Sequence, residues 1–129
     1  MKRAWLSSIA WAVVVESNRR LCLPGGALHK PTSAGYEPAR QLWESLHRSE
    51  MTLAEATDLC RRCHLLAPFC NFNGNTFVAI IRQVIAVLRL PSEQAAVLRS
   101  LAGHIVAGTA TPEEQKAFGE VLNQLELKP

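Results

Sequence analysis

At 129 residues, 48% apolar and 19% charged, the chain holds enough aliphatic material for one self-sufficient core, and it has no tract polar enough to stay unfolded. Its formal charge of +3, from 14 basic against 11 acidic residues, demands no polyanionic partner. Four cysteines in so aliphatic a chain are not needed as a disulfide frame, so a reduced, cytoplasmic setting is expected.

The opening MKRAWLSSIAWAVVVESNRR joins Lys2 and Arg3 to an apolar stretch from Ala4 to Val15, which are the ingredients of an export signal. Ser7 and Ser8 dilute it, the small residues Ala10 and Ala12 fall inside the stretch and not after it, and 12 residues are too few to cross a bilayer. Residues 1–24 are therefore expected to form an appendage packed on the body, either an extra helix or a β-hairpin folded about ESNRR, with export as the alternative. Proline and glycine then punctuate PGGALHKPTSAGYEP, which sets residues 25–37 apart as a loop.

Residues 38–129 read as a bundle of five helices, so the fold class is all-α. Pro38 opens the first, with Ala39, Leu42, Trp43 and Leu46 on one face, over about 38–49. Thr52 and Glu55 form a capping box that starts the second, over 52–66, and Pro68 follows its end. After the turn NFNGN comes FVAIIRQVIAVLR, over 76–89, with so little polar face that it is expected to be the central helix. Pro91 and Ser92 start a fourth over 92–107, striped by Leu98, Leu101, Ala102 and Ile105 and closed by Gly108. Thr111, Pro112 and Glu114 cap the fifth, over 112–125, with Phe118, Val121, Leu122 and Leu125 inside.

The second helix contains Cys60-Arg-Arg-Cys63-His64, the C-x-x-C-H spelling that attaches haem in c-type cytochromes. At 100° per residue, however, Leu53, Ala56, Leu59, Cys60, Cys63, Leu66 and Ala67 share an apolar arc about 140° wide centred near Cys63. His64 lies just beyond that arc, and Arg61 and Arg62 lie on the solvent side. Both sulfurs are then explained as small core residues, and no cofactor is expected. Two alternatives use the same residues. Haem c would take Cys60, Cys63 and His64, and would need export and a distal ligand, for which His29, His47 and His104 are available. A zinc ion or an iron–sulfur cluster would take Cys22, Cys60, Cys63 and Cys70, although C-x2-C-x6-C is not a standard zinc spacing.

No phosphate-binding glycine loop, H-E-x-x-H or nucleophile elbow is present, so catalysis is not expected. Ten of the 14 basic residues are arginines, and Arg48, Arg61, Arg62, Arg82, Arg89 and Arg99 would suit phosphates or an acidic partner if they shared a face, which is the nucleic-acid alternative. In LAPFCNFNGNTF, Phe69, Phe72 and Phe77 flank a polar tip, either to pin a loop to the core or to present a recognition surface, and pinning is the simpler reading. Trp5, Trp11 and Val13 to Val15 exceed what five helices comfortably hide. The expected role is association, as a homo-oligomer or with a protein partner.

Overall fold

The computed structural model describes residues 1–125, and within them every regular element is a helix. In chain order these are α1 (Trp11–Cys22), α2 (Tyr36–Leu46), α3 (Leu53–Leu65), α4 (Asn73–Ala86), α5 (Ser92–Ala107) and α6 (Pro112–Gln124). Residues 126–129, the last of the expected bundle segment, lie outside the described residues. No described helix is long and apolar enough to cross a membrane.

The centre is a triangle of α3, α4 and α5, with α1 on α4, α2 on α3 and α6 on α5. α4 turns one continuous apolar face into this centre, with Phe77, Ile80, Ile81, Val84 and Ile85 all at most 5% exposed, but it is no more enclosed than α3, and its Ala79 and Ala86 face solvent. Burying those five side chains supplies on the order of 10 kcal/mol of gross transfer energy. Thr52 with Glu55 and Thr111 with Glu114 each form both hydrogen bonds of a capping box, so α3 and α6 begin where their sequences say. Gly108 closes α5 at φ 77°, a left-handed cap that glycine adopts without cost.

The N-terminal segment takes the first of its two expected forms, the extra helix. It is a helix, not a hairpin, because the polar ESNRR forms helical ion pairs: Glu16 binds Arg19 three residues on and Arg20 four residues on. It is also no mere appendage. Leu6 and Val14 are fully buried, Trp11 is nearly so, and the indole of Trp43 on α2 donates to the carbonyl of Ile9 at 2.8 Å. Trp5 and Val15 pack at the core's edge, so most of the apolar surplus is consumed internally, and Val13 alone of that group stays well exposed.

The loop expected over 25–37 ends earlier, since α2 begins at Tyr36. Gly35 explains why. A Cβ there would lie 1.9 Å from the carbonyl oxygen of Leu66, so only glycine lets the start of α2 press onto the end of α3. Likewise α4 begins at Asn73, three residues before the expected start. The Asn73 amide accepts from the Phe69 N–H at 2.9 Å and donates to the Phe69 carbonyl at 2.7 Å, tying the chain's entry and freeing NGNT to be helical.

Candidate functional site

Two irregular segments cross at one end of the bundle, residues 23–35 after α1 and residues 66–72 between α3 and α4. They satisfy each other's backbone. Pro31 and Phe69 form an isolated antiparallel bridge, in which the Thr32 N–H donates to Pro68 and the Cys70 N–H to Lys30, each at 2.9 Å. The Thr32 hydroxyl donates to the Ala67 carbonyl at 2.7 Å, and the Asn71 amide donates to Leu28 at 3.0 Å. Beneath the crossing, Phe69 stacks on Trp11 at 6.0 Å and meets the edge of Tyr36 at 6.1 Å.

Asn18 of α1, fully buried, fastens the crossing to the core. Its Nδ2 donates to the carbonyl of Asn71 at 2.7 Å and to the Thr76 hydroxyl at 3.0 Å. Its Oδ1 accepts from His29 Nδ1 at 2.8 Å and from the Cys22 thiol at 3.5 Å. The amide is thereby satisfied on both sides, which a buried asparagine needs. Cysteine, histidine and asparagine meet here in the wrong order for nucleophilic catalysis. The thiol and the imidazole both bond the amide oxygen instead of each other, and burial, then the neighbouring Cys70, pushes the Cys22 thiol pKa up. Asn18 was not among the residues singled out by the sequence patterns above. Its signal is a polar residue in register with Val14 and Cys22 on the inward face of an amphipathic helix.

What projects from this end is apolar. Leu23 is 59% exposed, Leu28 60% and Phe72 38%. The Phe72 ring lies over Gly25, where a Cβ would be 3.6 Å from its Cζ. Phe72 occupies the left-handed region at φ 59°, ψ 32°, immediately before α4, with no side-chain cap. A bulky residue there is strained, and asparagine or glycine would fit better. Phe69 and Phe77 thus pin the loop as expected, while Phe72 does not. Beside Leu28 runs an open groove of about 690 Å³ lined by Lys30, Pro31, Thr32, Tyr36, Glu37 and Cys70 among others.

The cysteines of the CRRCH motif sit elsewhere. Cys60 and Cys63 are both fully buried, and the Cys63 thiol faces the Ala39 carbonyl at 3.8 Å. Burial pushes the Cys63 pKa up to about 12 against a small lowering by Arg62, and drives Cys60 higher still. The His64 ring lies against the first turn of α4, 3.3 Å from where a Cβ on Gly74 would be. Of the other two cysteines, Cys22 is buried and Cys70 exposed. Among the described residues no three histidine, cysteine or acidic side chains converge as a metal shell.

The six arginines do not gather. Arg62 opens onto a groove between the end of α2 and α3, Arg61 onto one between α3 and the α5–α6 turn, and Arg82 onto one between α4 and α5. Arg48 follows α2, Arg89 lies in the α4–α5 turn and Arg99 is on α5. Arg61 is also occupied by Asp58 at 2.9 Å. No protein-family model, curated protein sequence or solved structure matches this chain.

Proposed function

We propose that this chain is a non-enzymatic helical association domain whose contact surface is the end where residues 23–35 cross residues 66–72. The observation that carries the reading is Phe72. Nothing in the core requires a phenylalanine at a left-handed position, and the ring is held partly out of the protein over Gly25. Strain retained at an exposed aromatic, on a loop braced from below by Asn18 and Phe69, is the pattern of a side chain kept for contact and not for stability. Large aromatics are also the usual anchors of protein interfaces.

The test is selection of binders from a random displayed peptide library against the whole chain, alongside light scattering of the chain over a dilution series. Peptides that bind the native chain and lose at least about tenfold in affinity to Phe72→Asn or Leu28→Ser support the reading, as does a dimer weakened by the same changes. Peptides that bind both variants as tightly as the native chain, from a chain that stays monomeric, would overturn it.

A further inference from the structure

We infer that the groove between α4 and α5 binds a small organic phosphate monoester, its phosphate held by Arg82 and His104. The groove has a volume of about 510 Å³ and runs between Val78, Ala79 and Arg82 of α4 and Gly103, His104 and Ala107 of α5. Neither Phe72 nor Leu28 lines it. Gly103 makes it a seat. This glycine is buried in the interior of α5, where only proline is a poorer helix former. A Cβ there would fall 2.9 Å from Arg82 Nη2, 3.3 Å from Nε and 3.4 Å from Cζ. Only glycine therefore lets the guanidinium press against α5, and packing, not a carboxylate, sets its place.

The seated cation has no counter-charge. Arg82 makes no hydrogen bond or ion pair among the described residues, and no aspartate or glutamate lines the groove. Glu114 reaches His104 from α6, but both its oxygens are engaged, one by His104 Nδ1 and the other by the Thr111 N–H. His104 keeps Nε2 for a ligand, and Arg99 stands one turn before Gly103 on α5. A phosphate presents three terminal oxygens, enough for both arms of the Arg82 fork and for His104, whereas the fork alone uses up the two of a carboxylate. Away from the cation the walls are apolar at Val78, Ala79 and Ala107, and Asn75 stands about 10 Å along α4 from Arg82. That run suits an uncharged body carried by the phosphate. A polynucleotide would need further cations along the same face, and Arg61 and Arg62 open onto other grooves.

The test is titration of the whole, isotope-labelled chain with phenyl phosphate, inorganic phosphate and benzoate at constant ionic strength, followed through its amide NMR shifts. Phenyl phosphate should saturate with a Kd below about 1 mM and move the amides of Asn75, Gly103 and His104. Inorganic phosphate lacks the body and benzoate the third oxygen, so each should bind at least about fivefold more weakly. Arg82→Gln should weaken phenyl phosphate by at least about fivefold. Gly103→Ala should do the same while leaving the thermal melt unchanged or raised, because alanine favours the helix and displaces only the end of a flexible side chain. Shifts that do not saturate, or equal affinity in either variant, would overturn the site. Benzoate binding as tightly as phenyl phosphate would overturn the choice of phosphate, and inorganic phosphate binding as tightly would overturn the organic body.

Discussion

Replacing Phe72 by alanine and by asparagine separates what its side chain contributes from what its backbone costs. With 38% of the residue exposed, roughly three-fifths of a phenylalanine's burial is lost in either variant, about 1–2 kcal/mol. Alanine recovers nothing, because at φ 59° its Cβ still meets the left-handed penalty. Asparagine tolerates that region, relieving about 1 kcal/mol. Phe72→Ala should therefore be less stable than the native chain by about 1–2 kcal/mol, and Phe72→Asn should lie within about 1 kcal/mol of it. In thermal melts the two variants should differ by roughly 3–6 °C at this chain length. Equal midpoints for alanine and asparagine would refute the claim that residue 72 is left-handed and strained.

Asn18→Ala strands several buried partners at once and should cost about 3–5 kcal/mol in urea unfolding, with a loss under about 1 kcal/mol showing that the network is dispensable. Deleting residues 1–24 should abolish the cooperative melt, because Leu6, Trp11 and Val14 are core; a folded truncation would contradict that packing. In native protein, thiol titration should find Cys70 reactive and the other three slow, and Cys63→Ser should cost about 1–3 kcal/mol unless its hydroxyl finds the Ala39 carbonyl. Since folding raises the Cys63 pKa to about 12 from an ordinary value of 9.0, its contribution is fully present below 9 and is lost as pH rises toward 12, which a series of alkaline denaturation curves, compared with Cys63→Ala, would follow.

The elements whose signals are local were legible. Thr52 with Glu55, Gly108, and Thr111 with Glu114 place the start of α3, the end of α5 and the start of α6 within a residue or two, since each cap is made by neighbours in the chain. CRRCH was legible for the same reason, as helical periodicity alone put both sulfurs inward. The start of α4 was not, because the amide of Asn73 clamps Phe69 by a geometry that no capping rule describes. The crossing surface was less legible still. Asn18 reaches Asn71 and Thr76 across 53 and 58 residues of chain, and a left-handed phenylalanine leaves no mark in a sequence whose turn signals favour the asparagines and glycine beside it.

The pairing of residues 28–32 with 67–71 also determines where the chain can change in length. Ordinary surface loops accept insertions because their backbone bonds to water. Here each irregular segment is the other's hydrogen-bonding partner, and one added residue between Leu28 and Thr32 would slide the Pro31–Phe69 register and turn Lys30 and Cys70 to the wrong side. The turn through Thr109 and Ala110, joined to the body mainly by the packing of α6 on α5, carries no such register. A tag, a fluorophore-bearing loop or a new pair of termini belongs there, and the stretch richest in glycine and proline, which a reader of the sequence would choose first, is the place where the chain has least slack.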